Sequence, residues 1–198
     1  MQDDTGSTEG GALVYAYKPS LLGAPWEFRL APDALEWHIG RYQGRTPYAR
    51  IARIRLSFRP VTMQTRRFVT EIWPADGPRL SIASSSWKSI VEQESREQAY
   101  GAFVRELHRR IAASGAPVRF EAGTPAILYW PGLAVFVIVS LGLAALTVRA
   151  LHTGAWTASA FIGGFLGLFV WQSGGYFRRN RPGAYRPDTL PAELVPSG

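Results

Sequence analysis

The chain has 198 residues, a formal net charge of +7 and no cysteine, which excludes disulfides, thiolate zinc sites and thiol catalysis. Twenty of its 22 basic residues are arginine, polar residues crowd the part before residue 125, and the long apolar runs come after it. That division points to one soluble body of ordinary size joined to a membrane segment. The cationic excess suits an anionic lipid surface, and no nucleic-acid recognition motif accompanies it.

Residues 1–11 are polar, acidic at Asp3 and Asp4 and rich in glycine, and are expected to form a disordered arm. The basic start and apolar run of a signal peptide are missing there, so membrane insertion is expected to be directed by later segments. From Ala12 to Ser84 the apolar period is two. Leu13, Tyr15 and Tyr17 alternate with Val14 and Ala16, and Trp26, Phe28 and Leu30 with Glu27 and Arg29. After a turn at Pro32-Asp33, Leu35, Trp37 and Ile39 alternate with Glu36 and His38. Each stretch predicts a strand with one buried face. Gly40–Pro47, with two glycines and a proline, is expected to be a loop.

Ala52–Arg59 is the cleanest strand, with Ala52, Ile54, Leu56 and Phe58 on one face and Arg53, Arg55, Ser57 and Arg59 on the other. Arg67–Trp73 and Arg79–Ser84 flank Pro74-Ala75-Asp76-Gly77-Pro78, whose Asp-Gly signals a hairpin. The period then changes. Tyr100, Phe103, Leu107 and Ile111 form the stripe of an amphipathic helix, with Ser95 and Gln98 as a capping box and Gly115 and Pro117 at its end. Val118–Glu121 predicts a short extended piece, completing a body over residues 12–122.

Two uncharged segments follow, Ala126–Val148 and Ala155–Phe177. About 20 apolar residues suffice to cross the hydrocarbon core, and a helix is the form that satisfies their backbone there. Six residues between them force a tight antiparallel hairpin. The competing reading, a buried helix pair in a soluble core, lacks enough surrounding chain. Arg109, Arg110 and Arg119 precede the spans, Arg178, Arg179, Arg181 and Arg186 follow, and only Arg149, beside His152, lies between. This places both flanks in the cytoplasm. Tyr129, Trp130, Trp156, Trp171, Tyr176 and Phe177 fall where aromatic rings favour the headgroup region. Residues 178–198, basic and punctuated by prolines, are expected to be an irregular cytoplasmic tail.

Consecutive antiparallel strands closed by one amphipathic helix resemble a pleckstrin-homology-type domain. The stretch Ile51–Ile111, with its arginine alternation, Asp-Gly hairpin, Ser85-Ser86-Trp87 and helix, is similar to the PH-like domains of small bacterial membrane proteins of unassigned role. The resemblance covers residues 12–115. It implies an α+β fold, a PH-like antiparallel sheet or partial barrel with one C-terminal helix, carried in the bacterial inner membrane on a two-helix transmembrane hairpin. Inositide-binding members of that superfamily carry a basic cluster between their first two strands. Here that interval, Pro19–Pro25, holds no basic residue, so inositide recognition is not implied.

Motifs for chemistry are few. His38, His108 and His152 lack metal-site spacing and read as solvated side chains, and Ser84-Ser85-Ser86 reads as a strand-to-helix turn. No Walker loop, dinucleotide fingerprint or paired intramembrane carboxylate occurs, so no catalytic, cofactor or metal residue is assigned. Two features remain. Ser159, Gly163 and Gly167 form a small-xxx-small ladder that admits another helix, either the first span or another chain. Arg53, Arg55, Arg59, Arg66 and Arg67 form a cluster that is either a solvated face partly paired with Glu71 or a docking face for anionic lipid or protein. The expectation is a non-enzymatic interaction or accessory subunit, partnered by another membrane protein or by its own copies. An anionic-lipid surface module is the alternative.

Overall fold

The structure, a computed structural model, describes residues 8–9, 12–20, 23–59, 67–87 and 93–196. It is a mixed α+β molecule with antiparallel sheets and three α-helices among the described residues. The chain divides into two compact units, Met1–Gly123 with Gly183–Gly198, and Thr124–Pro182.

In the first unit, β1 (Thr8–Glu9), β2 (Ala12–Tyr17), β3 (Trp26–Leu30), β4 (Ala34–Ile39) and β5 (Tyr42–Pro47) make an antiparallel meander in chain order. Of the expected disordered arm, Thr8 and Glu9 instead pair with Leu13 and Ala12, and residues 1–7, 10 and 11 lie outside the described residues. The expected loop at Gly40–Pro47 is corrected: Gly40 turns at φ +62 and Tyr42–Pro47 runs back along β4. Its sequence hides the strand because Gly44 stands opposite Trp37, whose ring occupies the space a side chain would fill. Arg45 holds the strand from the other side by bonding Asp33 at 2.6 Å.

The second sheet also has five strands. After a 3₁₀ turn at Tyr48–Arg50, β6 (Ile51–Phe58), β7 (Phe68–Pro74) and β8 (Leu80–Ala83) form another meander, and the Asp76-Gly77 turn has Gly77 at φ +111. The serine run is not a strand-to-helix turn. Ser85–Trp87 is β9 and pairs with β10 (Gln93–Ser95) as a separate hairpin. Helix α1 (Glu97–Ala113) follows, and its N-cap is Arg96 with no side-chain cap bond, one residue past the Ser95 expected to cap it, whose side chain lies outside the described residues. The helix stops where Gly115 takes φ +68, a conformation that costs glycine little. Next, β11 (Arg119–Ala122) lies parallel to β6, and β12 (Gly183–Ala184) pairs antiparallel with β11.

One core joins both sheets and α1. Tyr15 sits against Phe103 at 5.6 Å and Tyr100 at 6.1 Å between ring centroids, and Tyr100 shares a 2.6 Å hydrogen bond with Thr70. Burial raises the hydroxyl pKa of both tyrosines, so each stays neutral. Arg110 ties the helix to the first sheet by donating to the Leu30 and Ala31 carbonyls at 2.9 and 2.7 Å. Residues 183–196, expected as an irregular tail, belong to this unit: Leu194 and Val195 are buried in its core. Apolar side chains that far along the chain follow the same rule as those before them, and here the core has room for them.

The second unit is a pair of helices, α2 (Ala126–His152) and α3 (Trp156–Arg179), joined by a turn at Thr153–Ala155 with Gly154 at φ +73. Ring contacts of Phe136 with Phe169 and Phe177, at 5.4 and 5.2 Å, and of Tyr129 with Phe177 at 5.7 Å set them antiparallel. Among the described residues α2 is the one helix long and apolar enough to cross a membrane by length and composition, and none of its apolar window is buried. The expected second span forms α3 but falls short of that measure. Gly163, Gly164, Gly167, Gly174 and Gly175, with Ser159, Ser173 and Gln172, dilute its hydropathy.

Candidate functional site

The expected arginine cluster is spread along β6 and beyond its end. Alternation puts Arg53 and Arg55 on the face away from the core, and the pairing register brings Trp73 beside Arg53 and Glu71 beside Arg55 from β7. From the other side β11 brings Arg119 beside Arg53 and Glu121 beside Arg55.

Most of the cluster is engaged. Arg55 is only 14% exposed in its side chain and donates to Glu121 through Nε at 3.0 Å and through Nη2. Glu71, 4% exposed, accepts from Arg59 at 2.9 Å and from Arg79. A carboxylate buried to that degree needs such partners to replace the hydration it has lost. Trp73 lies at the centre, with the guanidinium carbons of Arg53, Arg79 and Arg55 at 3.9, 5.0 and 5.3 Å from its ring. Guanidinium planes stack well on such a face.

Arg67 is only partly exposed and immediately precedes β7, where its carbonyl accepts from the Arg59 amide at 2.8 Å. Its Nε is buried without a hydrogen-bond partner among the described residues, as is the Ser57 hydroxyl. Arg66 lies outside the described residues. Among the described members, Arg55 and Arg59 are therefore compensated by carboxylates and Arg53 is stacked on Trp73. Still, among the described residues Arg53, Arg55, Arg59, Arg79 and Arg119 face two carboxylates, Glu71 and Glu121, which leaves the surface cationic. Trp73, Arg79, Arg119 and Glu121 were absent from the sequence reading of this surface. Val118–Glu121 is extended as its sequence predicts, and nothing local reveals that such a piece docks parallel to β6.

The small-residue ladder on α3 divides. Ser159 is buried, its hydroxyl donating to the Trp156 carbonyl at 3.0 Å. A Cβ on Gly163 would meet Thr147 of α2 at 3.4 Å, whereas one on Gly167 would meet nothing within 4 Å. Gly163 thus faces α2, Ser159 bonds within its own helix, and Gly167 is open.

The histidines also divide. His38 is exposed and its Nε2 donates to the Gly40 carbonyl at 2.8 Å, and His152 is exposed as the last residue of α2. His108, expected in solvent, is fully buried: its Nδ1–H donates to the Val104 carbonyl at 2.7 Å, so Nε2 accepts from the Tyr185 hydroxyl at 2.7 Å. Burial lowers its pKa to about 4. The helical stripe missed it because its partner comes from the other end of the chain. Among the described residues no three His, Cys, Asp or Glu side chains gather as a metal site. Comparison with protein-family models, curated proteins and solved structures returns no match to this chain.

Proposed function

We propose that the chain is a non-enzymatic integral membrane protein, a PH-like body tethered by a two-helix transmembrane hairpin, acting as an interaction or accessory subunit of a membrane complex. One observation carries the tether. The chain leaves the first unit after β11 and re-enters it at β12, and these strands are paired neighbours in one sheet. If α2 crosses a bilayer, the chain has to cross back for Gly183 to pair with Ala122, and α3 is the segment available. The exposed apolar side chains on both helices, Ile138 and Leu141 on α2 and Phe161 and Trp171 on α3 among them, fit lipid as their solvent. The hydroxyls of Ser140 and Thr147 donate back to carbonyls one turn earlier, which satisfies them without water.

The PH-like assignment rests on topology: a four-stranded meander, β2–β5, then a three-stranded one, β6–β8, then α1 over a shared core. Arginine counts on the flanks favour a bacterial inner membrane with both termini cytoplasmic. Assembly with another membrane protein or a second copy uses the open part of the ladder at Gly167, which lets a backbone approach closely. Single cysteines at Thr153, Ser7 and Ser197 test the topology. An impermeant thiol reagent should label intact cells only at 153, and labelling at 7 or 197 would reverse the arrangement. Crosslinking in native membranes tests the assembly. Gly167→Ile should remove higher-mass products while the monomer still inserts, and unchanged products would end the claim. The alternative reading, an anionic-lipid surface module, draws on the cationic surplus around Trp73.

A further inference from the structure

A groove of about 570 Å³ opens beside Trp73, lined by Arg50, Ala52, Arg53, Pro117 and Arg119. Its three arginines are in different electrical states. Arg50 is ion-paired with Asp76. Arg53 is held in place by stacking on Trp73 at 3.9 Å, yet its nearest carboxylate, Glu121, is 3.9 Å away, beyond hydrogen-bond range, and already accepts from Arg55. Arg119, exposed at the start of β11, makes no side-chain hydrogen bond or ion pair among the described residues. In the parallel register Arg119 stands directly beside Arg53. Strands so paired are about 4.8 Å apart, and like charges set side by side across strands repel. The arrangement is unfavourable alone and favourable around an anion.

We propose that Arg53 and Arg119 clamp the phosphate of an anionic phospholipid headgroup, with Trp73 fixing the Arg53 plane. Stacking fixes the plane and leaves the N–H edge of the guanidinium to donate, the geometry that grips phosphate oxygens in pairs. Pro117 and Ala52 supply the apolar walls that suit the glycerol part of such a headgroup. The lipid source, rather than free phosphate, follows from the tether and rests on the membrane reading above. Arg119 precedes Ala126, the first residue of α2, by seven residues, and a chain of that length spans at most about 25 Å. A clamp on so short a leash meets headgroups at far higher local concentration than any dissolved anion.

Full-length protein in neutral detergent is titrated with dihexanoyl phosphatidylglycerol, with dihexanoyl phosphatidylcholine and with inorganic phosphate, and binding is followed by calorimetry. The glycerol lipid should bind, the choline lipid should not, and inorganic phosphate should bind more weakly than the glycerol lipid. Arg119→Gln and Arg53→Gln should each weaken it by roughly fivefold or more, the effect of one basic group near an anionic surface. Arg41→Gln, a charge removed from the distant β4–β5 turn, should leave it unchanged. Equal losses in all three variants would reduce the site to diffuse charge and overturn the clamp. Inorganic phosphate binding as tightly as the glycerol lipid would overturn the lipid source, and so would no binding at all. Thermal melting of each variant shows that the body remains folded, and Arg119, exposed and with no side-chain partner among the described residues, is the variant least coupled to folding. Carbonate extraction of native membranes reads the tether separately: release of the chain overturns the membrane reading, whereas retention with no selectivity for the glycerol lipid overturns the clamp alone.

Discussion

Tyr185 and His108 are 77 residues apart in sequence and joined by a 2.7 Å hydrogen bond, with the whole two-helix unit inserted between them. Their rings are 5.7 Å apart, and Phe120 of β11 packs against both, at 5.6 Å from His108 and 5.5 Å from Tyr185. The trio fastens the returning strand to α1. The imidazole has to be neutral for this, because a protonated Nε2 would be a second donor facing a hydroxyl that already donates to it.

Acid should therefore loosen the body in a defined window. The folded pKa of His108, about 4, lies below its ordinary value of 6.5, so the unfolded chain binds the proton more readily between those limits. Stability is complete above about pH 6.5, declines as pH falls towards 4, and levels off below it, for a total of roughly 3 kcal/mol. Melting of the full chain in detergent between pH 7 and 4.5 checks this, and His108→Phe should flatten the dependence in that range. Glu106, held at about pKa 2 first by Arg109 and then by Arg110, acts in a lower window. Its contribution is lost as pH falls below about 4.5 towards 2, so the two effects separate.

Gly44 should be irreplaceable in β5. A Cβ there would lie 2.3 Å from a ring carbon of Trp37, whose indole N–H is anchored to the Thr46 hydroxyl at 3.2 Å. Gly44→Ala should cost about 1–3 kcal/mol, the usual penalty for overpacking. An unchanged melting temperature would mean that the Trp37 ring moves freely.

The tail should be needed for the stability of the body. Leu194 is 2% exposed in the core, so Leu194→Ala should cost about 2–5 kcal/mol, much as a central side chain such as Leu107 would. A chain ending at Pro182 loses Leu194, Val195, Tyr185 and β12 together. It should melt well below the intact protein, and equal melting would show that residues 183–196 are dispensable.

Around Glu71 the two halves of the ion pair should behave differently. Arg59 and Arg79 are more than half exposed in their side chains, so removing the carboxylate returns them to water at modest cost. Removing both arginines strands a buried carboxylate, and breaking a buried pair in that sense costs about 3–5 kcal/mol. The double variant Arg59→Gln, Arg79→Gln should therefore lose more stability than Glu71→Gln. The reverse order in chemical denaturation would mean that water reaches Glu71.

Elements whose pattern is complete within one segment were legible in the residues alone. Alternation located β2, β3, β4, β6, β7 and β8 to within a few residues, the Tyr100–Ile111 stripe located α1, and two uncharged runs located α2 and α3. What escaped depends on a partner elsewhere in the chain. Tyr42–Pro47 is a strand because Trp37 covers its glycine, and a fragment with two glycines and a proline carries no period to announce that. His108 is buried because Tyr185 returns to meet it, although its place on the helix suggested solvent. Arg55 and Arg59 were rightly placed on an outward face, but only the parallel docking of β11 and the register of β7 supply the carboxylates that engage them. Periodicity records which face of an element is apolar, a local property set by the geometry of helix and strand. Which polar group meets which is set by how distant segments share one core, and two paired strands 60 residues apart, Ala122 against Gly183 at their ends, decided that here.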